Sequence, residues 1–363
     1  MTDQFCISVI VPFYNSELSI KRCINSILKQ DFEKTFEIIM IDDASTDNSK
    51  KIIKIQNSSL IKLISLPKNS GPAAARNAGL KIAKGEYIFF LDADDTILKN
   101  TFSTLYENAK ENDFDLVFCD KKRIQDSQNK REHNYVYSED KVFNNSNILE
   151  EIKKRLFDPN YMQGVVGLHG KLIKKSIITN NKLSFQNELR YLEDETFVWD
   201  ILGYVNNMKY VRIQLYSYYS NENLNTARSE GLSRDFPLSN FKIIKNHVQN
   251  CFKTRGVSSK EIIKLGDQAL IFFIIYALVS LSLSMLTGKA NYEKGFKYRR
   301  KIIDDINVDP DVLNAIKNYS CSKNESPWIP KSIFLRSRKL IELTCTGRAN
   351  KIIKNMRRDV RAV

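Results

Sequence analysis

The chain has 363 residues, 42% of them hydrophobic and 27% charged, with a formal net charge of +14. That is ordinary for a soluble globular protein, except for the charge, and is long enough for one large α/β domain plus a smaller one. Its six cysteines form no Cys-x-x-Cys pair, which argues against a disulfide scaffold and for reduced, buried thiols in a cytosolic protein.

The first 120 residues alternate regularly. Apolar, β-branched runs read as strands: CISVIVPF (6–13), FEIIMI (36–41), LIKLISL (60–66), EYIFFL (86–91) and FDLVFC (114–119). Between them lie helical patterns in SELSIKRCINSILKQ, STDNSKKIIKIQ, GPAAARNAGLKIAK and ILKNTFSTLYENAK. This order predicts right-handed crossovers and an α/β fold with a doubly wound, mostly parallel sheet. Strands that are apolar throughout are buried on both faces. In such sheets ligands bind beyond the carboxyl ends of the strands, where PFYN, DDASTD and DADD follow strands one, two and four. Three polar clusters therefore converge on one rim.

Residues 121–141 are polar and read as a surface excursion. A mixed region follows, with VVGLHGKLIKKSII and a helix in YLEDETFVWDILGYV. The Ser/Asn-rich stretch 217–240 reads as a long loop. The expected division is a doubly wound α/β domain over 1–220, a linker over 221–240 and a helical region with a basic tail over 241–363. Residues 268–288 carry no charge. Length admits a membrane span, but Gln268, Ser280, Ser282 and Ser284 favour a buried helix, with a helix dipping into one leaflet between the two. From Lys331 onward there are ten Lys/Arg against two Asp/Glu. IFLRSRKLI and KIIKNMRR suit either an anionic membrane surface or a solvated face of a bundle. With no zinc-finger spacing or aromatic stacking motif, a nucleic-acid partner is not expected. No signal peptide precedes the first strand, so the expected location is cytoplasmic, with the tail peripheral on the inner membrane face.

The chemistry concentrates in FFLDADDT (89–96). Asp92, Asp94 and Asp95 fall within about 5 Å of one another, where like charges repel by roughly 3 kcal/mol at an effective dielectric near 20. A helix N-cap accounts for one carboxylate, not three. Hard oxygen ligands in this pattern suit Mg²⁺ or Mn²⁺, which would relieve the repulsion.

Taken together, VIVPFYNSE, IIMIDDASTDNS, NSGPAAARNAGLKIAKGEYIFFLDADD and YLEDETF resemble glycosyltransferase family 2, the inverting nucleotide-sugar enzymes of GT-A fold, over roughly residues 5–220. The resemblance implies a UDP-sugar donor, a saccharide or lipid-linked glycan acceptor of a bacterial surface glycan such as capsule or lipooligosaccharide, and Mn²⁺ or Mg²⁺. It implies Asp94 as the metal ligand, Asp92 nearer the ribose, Asp43 at the uracil ring, Pro12 and Tyr14 lining the base pocket and Arg76 near the nucleotide. The alternative for Arg76 is a helix-surface arginine. Gly71 and Pro72 simply start a helix.

The family places its base in an acidic pair matched by Glu193 and Asp194. At about 100° per residue, Asp194 aligns with the apolar stripe of Phe197, Val198, Ile201, Leu202 and Val205, while Glu193 points away by about a quarter turn. Asp194 is thus the expected base, with a helix N-cap as its other reading. His169, where relatives often have an aromatic residue, reads chiefly as a structural histidine. Lys171 either balances the diphosphate or is solvated. Ser220 stands where relatives often carry a basic residue, and the segment around it would suit a flap over bound donor. A processive synthase would show a QxxRW motif, absent at Trp199 and Trp328. An enzyme making activated sugars would show a Gly-rich loop after strand one, absent from PFYNSELS. An inactive binding module on the same fold is the remaining alternative.

Overall fold

The computed structural model describes residues 5–124, 135–157, 167–189, 191–219, 237–287, 292–321 and 325–361. The chain divides into two compact units, Met1–Glu150 with Tyr161–Ser220, and Glu151–Asn160 with Asn221–Val363.

The first unit runs β1 (Ile7–Phe13), α1 (Ile20–Leu28), β2 (Phe36–Asp42), α2 (Ser49–Ile55), β3 (Ile61–Ser65), α3 (Pro72–Ile82) and β4 (Tyr87–Phe90). It continues with β5 (Thr96–Ile97), α4 (Thr101–Glu111), β6 (Leu116–Ile124), β7 (Lys141–Asn144) and α5 (Asn145–Phe157), the last of which runs on into the second unit. Then come β8 (Lys171–Lys174), α6 (Lys175–Asn180), α7 (Glu193–Tyr204) and β9 (Asn207–Tyr219). One nine-stranded sheet has the order β3-β2-β1-β4-β8-β6-β9-β5, with β7 also on β9. The strands β3, β2, β1 and β4 are mutually parallel, and every residue of β1 and β2 is buried, as continuous apolar runs require.

Buried carboxylates interrupt that apolar sheet, Glu37 among them. Glu37 on β2 accepts from Ser8 Oγ (2.7 Å), Lys62 Nζ (2.6 Å) and the Lys84 N–H (2.6 Å). Burial alone would raise its pKa, but those donors outweigh it and hold the carboxyl below its ordinary value. Helix α3 lies close on the sheet because Gly79 has no side chain. A Cβ there would sit 2.5 Å from Ile10 Cγ2.

Four strands, β5, β7, β8 and β9, lie outside those expected from the sequence, and residues 121–124 of the expected surface excursion continue β6. β8 runs antiparallel between β4 and β6, within the stretch read as mixed. Its lysines disguise it as a surface segment, yet Lys171 is only 1% exposed. β9 is 13 residues long, pairing in parallel with β6 across a register shift at Asp120. Residues 217–219 of the expected loop belong to β9 and 238–240 to a helix, while 220–236, including Ser220 and the flap reading, lie outside the described residues.

The second unit is helical, with α8 (Leu238–Thr254), α9 (Ser259–Leu286), α10 (Tyr292–Val308), α11 (Pro310–Asn318), α12 (Trp328–Phe334) and α13 (Arg338–Arg361). Helix α9 is the one described helix long and apolar enough to cross a membrane. It is instead buried within this unit along most of its length, and its polar residues are matched by neighbouring helices. Asp267 accepts from Lys245 Nζ (2.8 Å) and Asn318 Nδ2 (3.0 Å). Gln268 accepts from the Ser320 N–H (2.9 Å), and Ser282 Oγ from Arg299 (2.9 Å). Polar groups placed to meet partners on surrounding helices mark a core helix, since lipid would offer them none.

Candidate active site

The carboxyl ends of β1, β2 and β4 open on one rim. The loops after β1 and β2 are laced together there: the Asn15 N–H donates to Ser45 Oγ (3.0 Å), the Ser16 N–H to Ser49 Oγ (2.8 Å), the Glu17 N–H to Asp47 (2.9 Å) and the Asn48 N–H to Glu17 (3.0 Å). Asn15 and Ala44 hold positive φ of 46° and 62°, uncommon outside glycine and frequent where a loop is shaped for binding. Pro12 is buried at the end of β1, and Tyr14 beside it is exposed.

Asp43, from the β2 end, is buried and accepts from the Ser70 N–H (2.7 Å) and the Gly71 N–H (2.8 Å). Its carboxylate therefore sets the start of α3, where Gly71 takes φ 90° and Pro72 opens the first turn. That turn aims the next residues of α3 at the rim. Arg76 is 6% exposed, which overturns the surface-helix alternative. It donates to Asp92 Oδ1 (2.9 Å) and to Glu193 Oε1 (2.8 Å), joining the DADD loop to the first turn of α7. Burial alone would lower its pKa; the charges of Asp92, Glu193 and Asp194 outweigh that and hold it above its ordinary value. Asn77 pairs with both backbone groups of Phe185, donating to its carbonyl (2.8 Å) and accepting from its N–H (2.9 Å). Phe185 in turn stacks on Phe197 of α7 at 3.9 Å.

The DADD loop is held from three sides. From α1, Arg22 donates to the Asp94 carbonyl (2.7 Å) while lying 3.6 Å over the Tyr219 ring. From β9, the Tyr216 hydroxyl (2.7 Å) and the Tyr219 N–H (2.9 Å) donate to the fully buried Asp95. From β8, the antiparallel register pairs Phe89 with Leu172, and extending it three residues sets His169 opposite Asp92. The His169 Nε2 lies 3.3 Å from Asp92 Oδ2, and its ring packs edge-on to Tyr216 and Tyr218. Asp92, Asp95 and His169 place ligand atoms within 4.8 Å of one another. Two hard oxygens and an imidazole suit Mn²⁺, and Mg²⁺ through the oxygens. Among the described residues these three, His169 included, form the group of ligand atoms close enough together to hold a cation. Asp94 is half-buried in the same loop.

Helix α7 begins after Leu192, which adopts a left-handed φ of 67°, a costly conformation for a branched residue. Here the helical-wheel inference fails. Glu193 is buried and Asp194 half-buried, because α7 is enclosed almost all round, Trp199 included, and has no single inward stripe. Burial and then the neighbouring Asp194 charge push the Glu193 carboxyl above its ordinary range, with Arg76 pulling against them. Glu195 is pushed up to about 8, first by burial and then by Asp194, and one of its oxygens is enclosed without a hydrogen-bond partner. Asp194 is the less enclosed member of the pair. Lys171, the other open case, is buried against the Phe118 ring at 5.3 Å rather than solvated.

No local sequence signal marks Arg22, Asn77, Phe185, Tyr216 or Tyr219 as part of the site. AARNAG contained Asn77 beside Arg76, and the LYSYY run contained the tyrosines, but their partners lie from 70 to over 120 residues away.

A doubly wound sheet with a carboxylate-lined rim and a following helical region defines a GT-A-type fold. The backbone of Staphylococcus aureus TarS, solved over residues 1–349 with UDP, superposes with a TM-score of 0.65 over 96% of this chain and 92% of that one at 22% identity. The Glycosyl transferase family 2 model matches residues 8–173. Glycosyltransferase GlyG of Streptococcus pneumoniae is 31% identical over 58% of this chain and 70% of its own length. The S. aureus poly(ribitol-phosphate) β-N-acetylglucosaminyltransferase TarP is 32% identical over 59% of this chain and 62% of its own, so the match spans somewhat under two thirds of that relative. The chain belongs to glycosyltransferase family 2.

Proposed function

We propose that the protein transfers a sugar, with inversion, from a UDP-sugar to a hydroxyl of a bacterial surface polymer or lipid-linked glycan. The observation that carries this reading is Arg76, which joins the DADD carboxylates and the acidic pair of α7 into one buried charge network at the rim. Pro12, Tyr14 and Asp43 form the part of the rim suited to a nucleobase. Asp92, Asp95 and His169 would hold a divalent cation, with Asp94 beside them, and that cation would supply positive charge to the departing diphosphate. Asp194 accepts the proton of the attacking hydroxyl. Glu193, fixed by Arg76, orients that first turn but is too enclosed to meet the acceptor itself. The relatives support a polymer acceptor: TarP is named for N-acetylglucosamine transfer to poly(ribitol phosphate), and a Bacillus relative for glucose transfer to the same polymer. TarS has also been solved with UDP-GlcNAc.

The test is thermal stabilisation by UDP, GDP, CMP and dTDP, each with and without Mn²⁺, on wild type, Asp92→Asn and Asp94→Ala. It is followed by release of UDP from UDP-GlcNAc and UDP-glucose with poly(ribitol phosphate) as acceptor. The reading expects Mn²⁺-dependent stabilisation by UDP that Asp92→Asn abolishes, and turnover that Asp194→Asn removes while UDP binding persists. Equal shifts with all nucleotides would overturn the UDP-donor assignment. UDP binding without turnover on any surface glycan tested would favour the inactive binding module.

A further inference from the structure

The second unit carries a surface that the transferase reading does not use. Helices α12 and α13 pack through Ile329, Ser332 and Ile333 on one side and Ile341 and Cys345 on the other, all buried. Ser332 Oγ also lies 3.2 Å from Thr344 Oγ1. The chain turns between the helices at Arg336, which takes φ 51°. Hydrogen bonds close the turn, from the Leu335 N–H to the Lys331 carbonyl (3.0 Å) and from the Arg336 N–H to the Ile333 carbonyl (3.0 Å). With its inward positions filled, the corner turns large apolar side chains outward. Trp328 is 65% exposed, Phe334 57%, Leu335 63%, Leu340 41% and Leu343 68%.

The cations Lys331, Arg336 and Lys339 are exposed among these residues, and Lys331 Nζ lies 5.0 Å over the Trp328 ring. The acids nearby are already engaged: Asp304 with Arg338, and Glu342 with Arg300 at 3.1 Å. We propose that this corner is a docking surface for an anionic lipid bilayer, with Phe334 and Leu335 entering the acyl boundary, Trp328 at headgroup level and the basic side chains against lipid phosphates. An apolar knob ringed by cations is the composition that lies in such an interface. An isologous contact with a second copy of the chain would set these cations against their own counterparts. A nucleic acid would leave Leu335, Leu340 and Leu343 without a partner. The inference does not rest on the transferase reading, and its test needs no turnover.

The chain contains only two tryptophans, and Trp199 is fully buried, so a change of emission on docking reports Trp328. Full-length protein is mixed with vesicles of phosphatidylcholine alone and of phosphatidylcholine with phosphatidylglycerol. Binding is followed by flotation and by the Trp328 blue shift. The proposal expects binding to the phosphatidylglycerol vesicles, weakened roughly thirtyfold by Arg336→Glu with Lys339→Glu and at least tenfold by Leu335→Asp. Both variants replace exposed side chains, so the melting temperature and UDP stabilisation should stay at wild-type values. No binding to either vesicle, or binding that none of these changes weakens, would overturn it. So would self-association that Leu335→Asp abolishes while vesicle binding persists.

Discussion

Replacing Arg76 by methionine tests the charge network most directly. Methionine keeps length and apolar bulk beside Phe185, over whose ring the guanidinium lies at 5.5 Å, but removes the cation. Two charge-assisted hydrogen bonds are lost, at 2.8 Å to Glu193 and 2.9 Å to Asp92. Removing one partner of a buried pair costs about 3–5 kcal/mol, because the remaining charge stays buried. The Glu193 side chain is 9% exposed and Asp92 21%, so solvent screens the Asp92 arm more and the low end applies, about 3 kcal/mol. For a unit of this size that lowers Tm by about 6–12 °C. The effect depends on pH. Without the guanidinium, Glu193, already raised by burial, rises further, so the folded state holds its proton while the unfolded carboxyl ionises. The stability associated with that raised group is present below the unfolded carboxylate pKa and is lost as pH rises toward the folded value. The deficit is therefore smallest in the ordinary carboxylate range and grows as pH rises above it. Scanning fluorimetry from that range upward, on Arg76→Met, Glu193→Gln and the double variant, reads all three. The double variant should recover part of the loss at high pH, since the uncompensated charge is gone. A single variant within about 1 kcal/mol of wild type, or a double variant that simply adds the two losses, would refute the reasoning.

Tyr216→Phe removes the hydroxyl that donates to buried Asp95 at 2.7 Å; about 2 kcal/mol of stability should go, together with part of the Mn²⁺-dependent shift, read by calorimetry with and without metal. Glu195→Gln should flatten the pH dependence of stability: the wild-type carboxyl holds its proton up to about 8 when folded, so folding weakens as pH climbs from the ordinary carboxylate range toward that value, and a glutamine has no such loss. A variant as steep as wild type between about pH 5 and 8 would exclude Glu195 as the source. Gly79→Ala places a methyl group 2.5 Å from Ile10 Cγ2; despite alanine's better helix propensity, about 1–3 kcal/mol should be lost and UDP stabilisation weakened, since α3 carries Arg76. Unchanged melting and UDP response would show that α3 does not depend on that close approach.

The alternation of buried strands and helices, the rim where their ends meet and the acidic motifs on it were legible because each is local. Apolar runs such as IIMI and IFFL bury both faces, and the Gly71-Pro72 pair opens α3 as such pairs commonly do at a helix start. Tertiary structure decided the rest. Lys171 lies in a four-residue strand whose lysines resemble a surface, and only its place between β4 and β6 shows that it is buried. That antiparallel insertion also carries His169 to Asp92. A helical wheel places a residue by one apolar face, but α7 is enclosed on nearly every face, so Glu193 is buried with Arg76 while Asp194 stays half-exposed.

The sequence by itself determined which carboxylates exist, at which strand ends, and on what class of fold, since these follow from spacing along the chain. Which carboxylate pairs with an arginine, which stands beside a histidine and which is left to meet solvent was decided only by the fold. Those outcomes depend on charges brought within about 3 Å from positions up to 117 residues apart, and no local pattern encodes a distance of that kind.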